Sequence, residues 1–234
     1  MNTMSIQIKK TSQMEMPSLV LTIYGNGGVG KSTLAASAPS PVFIDAEEGT
    51  KAFGARGIDV AVANVKTWAD VQEAWGLIRE SDYETIVIDP IGVFLNLLIE
   101  QEKKGGNMSI QKWGFVKDKM RKFIWTAKDS GKHVIFVAHE KEQQDEQSIL
   151  RRPDLAANLA QELVNMCDVV GHMRIDDKGV RCLLVQPENK YVAKDRFDAL
   201  DHIEKNPTVA KIIEKVHKAY TDAPFKGNEF SKKK

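Results

Sequence analysis

Nine consecutive residues, Gly25-Asn26-Gly27-Gly28-Val29-Gly30-Lys31-Ser32-Thr33, carry the strongest chemical signal in the chain. They satisfy the spacing G-x-x-x-x-G-K-[ST], the pattern of a loop that wraps phosphate. Glycines let successive backbone N–H groups turn inward on an anion with no side chain in the way. A helix beginning there adds partial positive charge. Lys31 then sets an ammonium against the β- and γ-phosphates of a nucleoside triphosphate, and the Ser32 hydroxyl becomes a ligand for Mg2+. ATP and Mg2+ are the cofactors this motif implies.

Three other places have residue types suited to the same chemistry. Asp89 closes the apolar run Thr85-Ile86-Val87-Ile88, where a carboxylate would position magnesium through water. Asp45-Ala46-Glu47-Glu48-Gly49 follows the apolar run beginning at Val42. A carboxylate there either takes a proton from the water attacking the γ-phosphate or belongs to a solvated acidic turn. His139 ends His133-Val134-Ile135-Phe136-Val137-Ala138. It either reports the γ-phosphate by a hydrogen bond or is satisfied by backbone.

These residues need a scaffold that gathers the ends of several strands. Ser18–Tyr24, Val42–Asp45, Val60–Val65, Thr85–Asp89 and His133–Ala138 read as buried strands. Amphipathic stretches lie between them. Thr67 and Asp70 resemble a capping box, with Trp68, Val71, Trp75 and Ile78 on one helical face. Trp113, Val116, Met120, Phe123 and Ala127 mark the buried face of a long helix. Leu155–Met166 reads as a helix. Val209, Ile212, Ile213 and Val216 stripe the last one. Asp168–Ile175 and Val180–Gln186 read as an antiparallel pair turning at Asp177-Lys178-Gly179. Pro90 is expected to bend the chain out of the sheet. Glu102–Asn107 and Glu140–Asp154 are expected to be loops, the second mobile. The fold class is α/β, a mostly parallel sheet with helices on both faces and antiparallel strands at one edge. The expected division is an arm at 1–17, an ATPase domain at 18–222, and a disordered basic tail at 223–234.

Thirty-three basic against 32 acidic residues leave a net charge of +1, which excludes a polycation and confines any nucleic-acid contact to local patches. No apolar run reaches the roughly 18 residues of a membrane span, and no secretory signal is legible at the start. Cys167 and Cys182 read as reduced packing residues. A cytoplasmic protein, in a bacterial host if phage-encoded, is the expectation.

Phe43-Ile44-Asp45-Ala46-Glu47 resembles the segment of RecA that carries its catalytic glutamate. The order of glycine loop, FIDAE, TIVID and IFVAH is similar to the RecA-type P-loop ATPase core across roughly residues 18 to 200. A core-only chain of this size, with its FIDAEEGT and YVAKDRF segments and VVGHM between, resembles the bacteriophage single-strand-annealing recombination ATPases of the Sak four type. The resemblance implies Glu47 as the catalytic base, with Glu48 in reserve, and His139 as the γ-phosphate sensor. It places DNA-binding loops at 100–109 and 140–157, making Lys103, Lys104, Arg151 and Arg152 contacts for single-stranded DNA. It makes Lys194 and Arg196 a K-x-R pair that reaches a neighbouring subunit's ATP, and so implies a ring or helical filament of the chain with itself. Ile6 and Ile8 either pair with an adjacent subunit's sheet edge or form an edge strand within the chain. The Lys232–Lys234 tail is open to DNA or to a single-strand-binding protein.

The leading expectation is a DNA-dependent ATPase of phage recombination. A ring motor or helicase loader is the first alternative, distinguished by fork unwinding. A P-loop kinase needs clustered lid arginines, and Arg151-Arg152 is the only adjacent pair. A nucleotide-regulated binding module would bind ATP with near-zero turnover.

Overall fold

The computed structural model describes residues 8–11, 14, 16, 18–103, 106–145 and 148–222. The apolar runs form strands and the amphipathic stretches form helices, in the order β1 (Val20–Gly25), α1 (Lys31–Ala35), β2 (Pro41–Asp45), α2 (Lys51–Gly54), β3 (Ala61–Asn64), α3 (Trp68–Arg79), β4 (Thr85–Asp89), α4 (Ile91–Lys103), α5 (Ile110–Lys128), β5 (His133–Asp145), β6 (Ser148–Pro153), α6 (Ala157–Met166), β7 (Val169–Ile175), β8 (Arg181–Leu184), β9 (Lys194–Asp195), β10 (Ile203–Lys205) and α7 (Val209–Asp222). The strands lie in the order β10-β8-β7-β1-β5-β4-β2-β3, with β6 on β5 and β9 on β7. From β7 to β3 every neighbouring pair is parallel. β8, β9 and β10 add antiparallel pairings at the β7 side.

Alternation along the strands feeds two cores. Tyr24, Ile86, Ile88, Val134, Phe136 and Ala138 pack with α3, α4, α5 and α6 on one face. Leu21, Ile23, Val87, Ile135 and Val137 pack with α1, α2 and α7 on the other. Both faces of the central strands are therefore dry, which is why those strands read as unbroken apolar runs. The box that starts α3 forms as expected: Thr67 Oγ1 accepts from Asp70 N at 3.2 Å, and Asp70 Oδ2 accepts from Thr67 N at 2.8 Å.

Register places the chemistry. β5 lies between β1 and β4, with Gly25 opposite His139 and Ile88 opposite Phe136, while Asp45 stands opposite Asp89. The glycine loop, Asp45, Asp89 and His139 thus share the carboxyl edge of the parallel strands, where ligands bind in such sheets. β4 ends at Asp89, whose peptide to Pro90 is cis, and the chain leaves the sheet into α4 as the proline suggests.

Several expectations are corrected. The segment 140–154 is not a mobile loop: β5 runs on through it to Asp145 and pairs antiparallel with β6. Cross-strand pairs hold this hairpin, Glu142 standing opposite Arg151, and its polar composition hid the alternation of a two-sided solvated strand. Lys103 lies in the last turn of α4 rather than in a loop. Lys104 lies outside the described residues, as do Ile6 and residues 223–234. Ile8 is exposed and belongs to no strand. β9 and β10, two and three residues long, are too short to show a period in sequence.

Candidate active site

The loop between β1 and α1 adopts backbone angles that its glycines permit. Gly28 and Gly30 have φ of 80° and 100°. A Cβ on Gly25 would stand 2.3 Å from the carbonyl oxygen of Met173. Lys31 folds back across this loop, donating from Nζ to the carbonyls of Gly25 at 2.9 Å and Asn26 at 2.8 Å. It is 7% exposed. Burial lowers its pKa, and the nearby charges of Asp89, Glu47 and Glu140 oppose that shift. Arg56 Nη1 donates to Thr33 Oγ1 at 3.1 Å, bracing the start of α1 from the side of α2.

Asp89 is equally buried, and its carboxyl is pushed up to about 6. Burial is the main cause. A hydrogen bond from Ser32 and the charge of Lys31 pull it down, and Asp45 and Glu47 push it up. A hydroxyl and a carboxylate held in contact, hard oxygen donors beside a phosphate loop, suit Mg2+. Ser32 and Asp89 are the residues that would hold it, and the raised carboxyl is what a second positive charge would relieve.

The acidic turn after β2 divides its labour. Asp45, 1% exposed, accepts from Glu47 N at 3.0 Å, Thr50 N at 2.9 Å and Thr50 Oγ1 at 2.6 Å. It braces the turn. Glu48 adopts φ of 57° and pairs outward with Lys51 and Lys66. Glu47 alone turns to the carboxyl edge, where its two oxygens lie 3.1 and 3.2 Å from His139 Nε2. Both side chains are 44% exposed, so water reaches them. The two residues singled out separately in sequence form one pair.

Beyond His139 the hairpin is bolted to the loop strand. The His139 carbonyl accepts from Asp154 N at 2.8 Å, and Tyr24 Oη donates to the Arg151 carbonyl at 3.0 Å. Glu140, its side chain 5% exposed, binds His172 Nε2 at 2.6 Å and Arg151 Nε at 3.2 Å. Tyr191 stacks on His172 with ring centroids 4.3 Å apart. Burial lowers the pKa of His172 despite Glu140. These residues line a cleft of about 370 Å³ whose wall includes Asn26 and Val29 of the loop. Sequence reasoning assigned no role to His172 or Tyr191, although the VVGHM and YVAKDRF segments that contain them carried the resemblance.

The other basic residues expected at the site and described by the structure are engaged within the chain. Arg151 also donates to Glu142 at 2.7 Å, and Arg152 donates to Gln143 at 2.9 Å and to the carbonyls of Pro153 and Leu155. Lys103 pairs with Glu100 at 2.8 Å. Lys194 donates to the carbonyls of Val164 and Asn165, and Arg196 to Asn165 O and to Asp168 Oδ1 at 2.6 Å. Lys194 and Arg196 thus cap the carboxyl end of α6. They sit beside Asp168, which accepts from Val20 N, and so lie at the end of β1 opposite the glycine loop.

No group of three or more His, Cys, Asp or Glu side chains forms a metal cluster among the described residues, and none of their helices is long and apolar enough to cross a membrane. A search of curated proteins finds no match. The family model of the AAA domain matches residues 18–197, a span that runs from the start of β1 past Arg196. With well over half of its length in that match, and the phosphate loop and Asp89 inside it, the chain belongs to the AAA domain family of ATP-binding and ATP-hydrolysing proteins.

Proposed function

We propose that the chain is an ATP-dependent, single-stranded-DNA-binding recombination protein of RecA type, promoting annealing or strand exchange and hydrolysing ATP between copies of itself in a ring or filament. The observation that carries this reading is the course of β5. One strand presents His139 to Glu47 beside the glycine loop and then continues as one arm of the hairpin bearing Arg151 and Arg152. A change at the phosphate end would thereby reach, without an intervening loop, a hairpin that carries Arg151 and Arg152 among acids.

The chemistry follows from the placement of the side chains. Glu47 takes a proton from a water whose oxygen attacks the γ-phosphorus, as the bond to the β–γ bridging oxygen breaks. Lys31 exchanges its two loop carbonyls for phosphate oxygens and neutralises their charge. Ser32 and Asp89 would hold Mg2+, which when bound would supply neutralisation of the phosphate charge. His139, released from Glu47, donates to the γ-phosphate. Lys194 and Arg196 lie too far from their own loop to serve it, which supports a role toward a neighbour's nucleotide. In that role they would exchange the α6 carbonyls for phosphate. Lys103 would meet the DNA backbone by trading its surface pair with Glu100, worth under about 1 kcal/mol, for phosphate contacts, Arg151 by giving up Glu142, and Arg152 by giving up its bonds to Gln143 and to backbone carbonyls.

The test is fluorescence anisotropy of a labelled oligothymidylate at fixed salt, with and without ATP, beside turnover with and without the oligonucleotide. The expected result is tighter binding with ATP, faster turnover with DNA, and loss of the ATP effect in Lys31→Ala. Equal binding by wild type and Lys31→Ala in ATP would remove the coupling. Turnover unchanged by DNA would remove the DNA-dependent reading and leave the ATPase.

A further inference from the structure

Arg181 opens β8 and has no place in the chemistry derived so far. Its side chain lies against the last glycine of the phosphate loop: a Cβ added to Gly30 would stand 2.8 Å from Arg181 Nε and 3.3 Å from its Cδ. Its backbone is fixed from both sides, by pairing with Ile175 of β7 and by Asn206 N donating to the Arg181 carbonyl at 2.7 Å. Among the described residues no carboxylate pairs with its guanidinium, in contrast to Arg121, Arg151 and Arg196, each of which holds an acid. A fixed strand therefore aims an uncommitted cation at a loop built for anions.

Topology decides which part of a nucleotide it meets. The groups suited to the γ-phosphate stand on β2, β4 and β5, all on one side of β1. Arg181 comes from β8 on the other side. The loop amides cradle the α- and β-phosphates. The cation thus approaches the phosphate chain at the end remote from hydrolysis.

We infer that Arg181 is a phosphate-binding residue acting within its own subunit, gripping the α- and β-phosphates in ATP and in the product ADP alike. A guanidinium suits this task because its planar fork bonds two phosphate oxygens at once. It adds ground-state binding shared by substrate and product, so it sets affinity and product retention rather than the chemical step.

The test is titration of the full chain with methylanthraniloyl-ADP and methylanthraniloyl-ATP, on wild type, Arg181→Ala and Arg181→Lys, with turnover at saturating ATP. Charge-assisted bonds of this kind are worth roughly tenfold to a hundredfold in affinity. Arg181→Ala should weaken both nucleotides by similar factors in that range, Arg181→Lys by less, with the melting temperature unmoved. Wild-type affinity in Arg181→Ala would overturn the inference, as would weakening of ATP alone, which would put the guanidinium on the γ-phosphate. A wild-type chain that binds neither nucleotide would remove the site itself, an outcome distinct from failure of Arg181. None of these readings depends on DNA.

Discussion

Glu47→Gln separates position from basicity. The amide keeps the length of the side chain and can still accept a hydrogen bond from His139, but it cannot take a proton from water. The cost to the fold should be small. Glu47 and His139 are each 44% exposed, and exposed pairs contribute about 0.2–1 kcal/mol. For a domain of this size 1 kcal/mol moves Tm by roughly 2–4 °C, so the variant should melt within about 4 °C of wild type. Its backbone N–H still bonds Asp45, and Lys31, Ser32 and Asp89 are untouched, so ATP affinity should stay within about threefold, below the tenfold that 1.4 kcal/mol would bring. Turnover should fall by about 10²–10⁴, the range for loss of a positioned general base. Phosphate release at saturating ATP, beside calorimetric melting and nucleotide titration, checks all three. Turnover within fivefold of wild type, with the fold and affinity intact, would show that Glu47 is not the base and that its pairing with His139 is only a surface contact.

Asp45→Ala strips three hydrogen bonds from a buried turn; thermal melting should show a loss of about 2–4 kcal/mol, and turnover should drop as Glu47 loses its anchor. Arg196→Ala removes the half-exposed bond to Asp168 and should lower Tm by a few degrees; if the same cation also serves a neighbour's nucleotide, mixing it with Glu47→Gln should restore part of the ATPase that neither has alone, whereas a purely structural role predicts no recovery. Burial, aided by His217, lowers the pKa of His133, whose Nδ1 accepts from Leu19 N, and burial likewise lowers that of His172. The unfolded chain therefore binds protons first, and stability present above about pH 6.5 should be lost as pH falls through that value toward the lower folded pKa values. Melting curves from pH 7.5 to 5.5 should show this slope, and it should flatten in the His133→Gln, His172→Gln double variant.

The glycine loop was legible because its function fixes residue types at fixed spacing, and the central strands because burial on both faces leaves only apolar residues. Asp89 and His139 were legible by the same logic, each closing an apolar run at the carboxyl edge. What sequence could not separate was Asp45, Glu47 and Glu48. All three are acids within four residues, and only the backbone bonds to Asp45 and the left-handed turn at Glu48 decide which carboxylate faces the site. The hairpin after His139 was hidden because both of its faces meet solvent, so alternation carries no hydrophobic contrast. Lys194 and Arg196 gave a spacing but no partner; the α6 carbonyls they cap lie some 30 residues earlier in the chain. Arg181 and His172 reach the loop only through the pairing of β7 with β1 and of β8 with β7, which no local pattern encodes.

The strand that bears His139 is clamped in register by parallel neighbours on both sides. Side chains along it alternate between the two cores, so a slip of one residue would exchange His139 for Glu140 at the mouth of the loop. An imidazole would give way to a carboxylate facing the most negative part of the nucleotide, and the acid that anchors Arg151 would leave its berth in the same movement. The short turn between α5 and β5, where Ser18 Oγ donates to the Gly131 carbonyl and His133 N donates to Glu84 O, is thus a ruler. Inserting or deleting one residue there would disarm an enzyme whose every functional group is still present.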